Sequence, residues 1–177
     1  MRLTALIALL PAITISQVAM AASEALSGTW VGWICPQADQ ANAVRCSSFS
    51  LHLLQKGQRL CGSHLYATAG ARQIDEGGLP SLLAALEGDK ATGTVESGRS
   101  SLTVRIAVTL SLADGALQWQ RLANPAGDYL LPDTLRMTRS RQSGLRPRSE
   151  QQLSAACSAH LDMPTDKEKT AAVPKAP

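Results

Sequence analysis

Aromatic residues are scarce in this chain: one Phe, two Tyr and three Trp among 177 residues. None of them falls among the arginines of residues 136–148, which argues against the stacking platforms that single-stranded nucleic acid needs. After residue 21 no apolar run approaches the ~20 residues of a membrane-spanning helix, so no transmembrane span is expected. No Cys-x-x-Cys pair is present, which argues against a structural zinc site. The sequence also lacks a Gly-x-Ser-x-Gly elbow and a glycine-rich loop of the kind that cradles phosphate. Ser63 and His64 are neighbours, so on a strand they face opposite sides and form no dyad. Acidic residues are missing between Asp133 and Glu150. With these absences, no enzyme chemistry and no cofactor are expected.

What is present begins with an address. Met1-Arg2 is basic, Leu3 to Ile15 is apolar apart from Thr4, Pro11 and Thr14, and Ala19-Met20-Ala21 has the small-x-small pattern of a cleavage site. Residues 1–21 therefore read as a signal peptide, and the protein as periplasmic or secreted. No cysteine lies near the cut, so no lipid anchor is expected. Removal of the leader takes 177 residues to 156, enough for one domain with a core. Arg2 is the only charge lost, leaving 16 basic residues against 14 acidic ones. That balance is too near neutral to indicate a nucleic-acid partner.

Cys35, Cys46, Cys61 and Cys157 form an even set, and in an oxidising compartment two disulfides are the natural reading. Four cysteines allow three pairings. The favoured one joins Cys35 to Cys46, pinning a short polar loop, and Cys61 to Cys157, tying the C-terminal segment to an early strand.

Period-two alternation predicts an all-β domain over residues 22–161. Leu102, Val104, Ile106, Val108, Leu110 and Leu112 occupy every second position and are followed by Asp114-Gly115, a two-residue hairpin turn. The return strand then places Leu117 opposite Leu112 and Trp119 opposite Leu110. Ser47 to Thr68 reads as a second hairpin turning at Lys56-Gly57-Gln58. Further strands are expected at Gly28–Ile34, Ala91–Glu96, Tyr129–Leu131 and Thr134–Arg139. Seven or eight strands in hairpin order suit a small antiparallel up-and-down barrel, in which closure removes exposed edges. The run Leu79 to Leu86, with Pro80 at its start and Gly88 after it, predicts a short helix within a long 69–90 connection. Ser149 to Leu161 predicts a C-terminal helix with Leu153, Ala156, Cys157 and His160 on one face. Residues 162–177, rich in Pro, Lys, Ala and Thr, are expected to be a disordered tail.

Gly28-Thr29-Trp30 matches the Gly-x-Trp signature that opens the first barrel strand of lipocalins. Through it the chain resembles the calycins, the superfamily of lipocalins, avidins and small bacterial protease inhibitors. The resemblance implies that Gly28 and Trp30 form the barrel floor. It also implies that an arginine of the last strand, Arg136 or Arg139, packs across the Trp30 ring, a contact worth roughly 0.5–2 kcal/mol. A helix after the barrel and a disulfide from the C-terminal segment to a barrel strand fit the same habit. Ala25 to Trp30 is also similar to the N-terminal segment of inhibitors of secreted metalloproteases, which occupies the enzyme's cleft.

Candidate contact residues follow from charge. Arg136, Arg139, Arg141, Arg146 and Arg148 form a locally basic stretch, and Asp75 and Glu76 are acidic residues in the 69–90 connection. An envelope or extracellular protein is the expected partner, with anionic lipid a further option for the arginines. His52 and His64 fall on paired strands, but no third ligand accompanies them, so no metal site is expected. Trp33, on the other face of its strand, is either half-buried under the 35–46 loop, the favoured reading, or part of an exposed contact site. An exported barrel without catalytic groups acts by binding, so an inhibitor-like or immunity-like protein is the first expectation. A carrier of a small apolar ligand, held in a barrel lined by Leu51, Leu53, Val104, Ile106, Val108 and Trp119, is the alternative.

Overall fold

The computed structural model describes residues 24–36, 44–99, 103–141 and 147–163. The leader, the expected tail from residue 164 on and Arg146 lie outside the described residues, as does Leu102 at the start of its expected strand. Asp162 and Met163, expected to open the disordered tail, instead bond to Lys56 and Arg59. Alternation in the sequence becomes nine antiparallel strands: β1 (Gly28–Ile34), β2 (Ser47–Lys56), β3 (Arg59–Ala67), β4 (Ile74–Glu76), β5 (Leu82–Glu87), β6 (Lys90–Ser97), β7 (Val104–Ala113), β8 (Ala116–Arg121) and β9 (Thr134–Arg139). One helix, α1 (Pro147–Leu161), follows.

Eight strands close a ring in the order β1, β2, β3, β5, β6, β7, β8, β9 and back to β1. β4 and β5 share one edge of β3: β5 pairs with Arg59–Gly62 and β4 with Leu65–Ala67. The structure is thus a closed antiparallel barrel with one α-helix among the described residues, compatible with a calycin-like plan. Closure leaves each barrel strand with partners on both sides, which is how a small all-β domain avoids sticky edges.

The Asp114-Gly115 turn takes positive φ at both residues, 50° and 71°, as a type I′ turn requires. Its register pairs Leu112 with Leu117 and Leu110 with Trp119, as the alternation predicts. Two expectations are corrected. Leu82–Glu87 is a strand, where the run Leu79 to Leu86 predicted a helix. Leu82 and Ala84 point inward and are buried, while Leu83 points outward at 38 % exposure. Because both faces of this run are apolar, its alternation is invisible to periodicity, and the open edge of β3 decides the matter. Tyr129–Leu131, expected as a strand, is irregular chain within the 122–133 connection.

Both disulfides form as favoured, Cys35–Cys46 across 11 residues and Cys61–Cys157 across 96. Cys61 faces outward from β3 and, with Leu153 and Leu54, makes a small second core beneath α1. No helix among the described residues is long and apolar enough to cross a membrane.

Candidate functional site

The barrel interior is filled by its own side chains. Phe49, Leu51, Leu60, Leu82, Ile106, Leu110, Leu117 and Met137 are all fully buried within a single cluster that also holds Trp30 and Trp119. Phe49 meets Trp119 edge-on with ring centroids 4.8 Å apart, a favoured aromatic geometry.

The N-terminal segment packs across the end of the barrel where β1 begins, beside an open pocket of about 420 Å³ lined by Leu26, Gln55, Leu86 and Leu112. Leu26 is buried there, and the Trp30 indole N–H donates to its carbonyl at 2.9 Å. Of the two arginines offered for the contact, Arg139 lies over the Trp30 ring, 4.4 Å from its centroid. Its guanidinium also donates to the carbonyls of Ala25, at 2.6 Å, and Ser27. Gly28 adopts φ +125°, and a side chain there would strike that guanidinium. Gly28, Trp30 and Arg139 therefore act as one structural unit, with two of the Arg139 N–H groups bonded within the fold.

The opposite end is closed around a buried carboxylate. Asp75, expected at a contact surface, is fully buried because β4 alternates: Ile74 and Glu76 face out and Asp75 faces in. The Leu130 N–H donates to its Oδ2 at 2.9 Å and the Gly98 N–H to its Oδ1 at 3.1 Å. The Ser97 hydroxyl lies 2.9 Å from both oxygens, and the His64 Nε2 lies 3.5 Å from Oδ1. Burial alone would raise the Asp75 pKa. The close approach of His64 and the hydrogen bonds from Leu130 and Ser97 outweigh it and hold the carboxyl below its ordinary value. His64 Nδ1 in turn meets the Ser81 hydroxyl at 2.8 Å, an oxygen that also accepts from the His64 backbone N–H. Ser, His and Asp are thus in line, and all three are at least 96 % buried. Sequence reasoning misses this cluster because its members come from β3, β4, the β4–β5 connection and β6.

The outer wall near that end carries the strongest surface feature. The pairing registers align Trp33 of β1, Ser48 of β2, Ala67 of β3 and Ile74 of β4 in one row across the sheet. The adjacent row on the same face is Val31, Ser50, Leu65 and Glu76. Trp33 is 38 %, Leu65 37 % and Ile74 49 % exposed. Trp33 is partly exposed, with short Ser48 beside it, while residues 37–43 of the loop expected to cover it lie outside the described residues. With strands ~4.8 Å apart, the row from Trp33 to Ile74 spans about 14 Å. Arg136 is exposed on the outer face of the neighbouring β9, two positions from Thr138, which pairs with Val31. Glu76 is exposed at the far end. The basic stretch does not assemble as one patch among the described residues. Arg136 lies on the wall, Arg139 is tied to the floor, and Arg141 is exposed beyond β9.

His52 and His64 do not converge: His52 pairs with Ser63 on the outer face, and His64 points inward. Among the described residues no group of three or more His, Cys, Asp and Glu is placed to hold a metal. His52 lines a groove of about 410 Å³ between α1 and the wall, with Thr29, Leu54, Glu150 and Leu153. Its Nδ1 meets the Thr29 hydroxyl at 3.0 Å. Burial lowers its pKa, opposed in part by the Glu150 charge. The unfolded chain therefore takes up this proton first, and stability that is complete above about pH 6.5 declines as pH falls toward the folded-state value. Urea unfolding at pH 7.5 and pH 5 is expected to show a lower midpoint at pH 5. Replacement His52→Gln is expected to flatten that difference, while an equal slope in the variant would assign it to another group.

Compared with known proteins, the chain matches no protein-family model, no curated protein and no solved structure.

Proposed function

We propose that this protein is an exported, non-enzymatic binding module that engages a protein of the cell envelope or exterior, in the manner of an inhibitor or immunity protein. The contact face in this reading is the outer wall of β1 to β4. The observation that carries it is the row of Trp33, Leu65 and Ile74, left bare around Ser48, Ser50 and Ala67. Large apolar side chains grouped on one face of a monomer mark interaction sites more often than isolated ones do. Small residues between them give a flat floor with Trp33 as an anchor, the residue type most enriched at binding hot spots. Charge at the two ends defines the partner further. Arg136 calls for a carboxylate and Glu76 for a basic group, flanking an apolar centre.

Replacement Trp33→Ser tests this directly. A photo-crosslinker installed at position 48, beside Trp33 in the row, identifies the partner, and calorimetry then compares its binding to the wild type and the variant. Loss of at least about 30-fold in affinity is expected, with an unchanged melting temperature. Equal affinity in the variant would remove the face from consideration.

The reading of a carrier with a small apolar ligand inside the barrel has less support, because the inward residues already pack against one another. Native mass spectrometry separates the two readings: a small mass lost on denaturation favours the carrier, a stoichiometric protein favours the module. An anionic-lipid surface has less support still, since Arg139 is held by Trp30 and two carbonyls.

A further inference from the structure

The 122–133 connection crosses the end of the barrel opposite the Trp30 floor, with Leu131 buried beneath it and Tyr129 packed on the core. It carries no regular secondary structure, so few of its own backbone groups bond to one another. Its hold on the barrel comes from two places. At the β9 side, the Arg121 guanidinium donates to the Leu131 carbonyl at 3.1 Å and pairs with Asp133, and the Trp119 indole donates to the Pro132 carbonyl at 2.9 Å. At the other side, the Leu130 N–H reaches down to Asp75. The same carboxylate binds the Gly98 N–H and the Ser97 hydroxyl, and that hydroxyl lies 3.3 Å from the Asp128 carbonyl. One side chain thus gathers β4, the end of β6 and the crossing connection.

We propose that Asp75 is the latch of a lid: its carboxylate holds residues 128–131 closed over the barrel end, and its neutralisation releases them while the eight-strand ring stays folded. The buried position makes the bonds selective for the ionised form. A carboxylate offers acceptor oxygens to Leu130, Gly98 and Ser97 at once, whereas an amide turns a donor toward one of them. The outer ion pair between Arg99 and Asp128, at 3.0 Å, spans the same gap but is exposed on the Asp128 side, where such a pair contributes little. The ionisable groups around the latch are His64 and Tyr66 of β3, Glu76 of β4, Arg99 after β6, and Asp128 and Tyr129 of the connection. Tyr129 packs on the core cluster that holds Phe49 and Trp119, and the Trp119 indole bonds the Pro132 carbonyl, so release is expected to uncover aromatic surface.

Amide hydrogen exchange at pH 7 tests the latch, comparing the full mature wild type with Asp75→Asn. Exchange at Leu130 and Gly98 is expected to accelerate about 100-fold, while Leu110 and Leu117 in the β7–β8 hairpin change by less than about 3-fold. Binding of anilinonaphthalene sulfonate is expected to rise in parallel. Uniform acceleration across all strands, or none at the two latch amides, would overturn the proposal. Should Asp75→Asn fail to fold, Ser97→Ala keeps the carboxylate and removes one of its donors. It is expected to accelerate the same two amides about 10-fold, and unchanged exchange there would also overturn the proposal. Arg99→Ala is expected to leave both amides as they are, and opening as large as that of Asp75→Asn would move the latch to the surface ion pair.

Discussion

Replacement Trp30→Ala is expected to destabilise the barrel by about 3–5 kcal/mol, the range for emptying a large aromatic from a packed core. Trp30 is 1 % exposed and serves three neighbours at once. Its ring fills the floor, its N–H holds the Leu26 carbonyl, and its face carries the Arg139 guanidinium. Without the ring, Arg139 loses its platform, and residues 24–27 lose the anchor that keeps Leu26 in place. A typical domain is stable by only ~5–15 kcal/mol, so the variant should lie near the limit of folding. Urea unfolding followed by tryptophan fluorescence and far-ultraviolet circular dichroism gives the number. A loss below about 1 kcal/mol would mean that Arg139 and its carbonyl partners hold the floor without the ring.

Replacement Cys157→Ser is expected to lower the melting temperature by about 10–15 °C. The Cys61–Cys157 bridge closes a 96-residue separation, and loop entropy assigns such a cross-link about 3–5 kcal/mol. For a domain of about 140 residues each kcal/mol corresponds to ~3–4 °C. Both sulfurs are fully buried beneath α1, where Leu153 is the main apolar contact of the helix with the wall. The helix is expected to detach: far-ultraviolet circular dichroism should lose helical signal while the strand signal persists. The salt bridge from Lys56 to Asp162 at 2.6 Å joins the helix end to β2 but is exposed, so it does not replace the bridge. A melting shift under about 3 °C would show that Leu153 and its neighbours dock the helix by themselves.

The barrel is legible in the sequence where alternation and turn chemistry agree. Val104 to Leu112, followed by Asp114-Gly115, leaves one register open, and the structure adopts it. Gly28-Thr29-Trp30 points to the seam of the barrel, though nothing local distinguishes Arg139 from Arg136 as the residue above the ring. That choice depends on the register of β9 against β1, where Trp30 pairs with Arg139. Leu82–Glu87 resists reading because an apolar run with two apolar faces has no period. Trp33 resists it for another reason: the sequence does not show that Ser48 and Ala67 share its row across the sheet. Asp75 reads as a surface residue on composition alone. Only the pairing of β4 with β3 turns it inward, and its partners are 11 to 55 residues away in sequence.

The ring closes through its shortest ladder, only two residue pairs between β1 and β9, Trp30 with Arg139 and Val31 with Thr138. These strands stand at opposite ends of the barrel sequence, so the first strand made must wait for the last. Until residue 139 has emerged, β1 and β8 present raw edges, and the growing chain is most exposed to pairing with its neighbours. Closure is a late and non-local event, of the kind that places all-β barrels among the slower folders, in milliseconds to seconds. The Arg139 contact that completes the floor is therefore also a signal of completion: it forms only when the whole barrel is present.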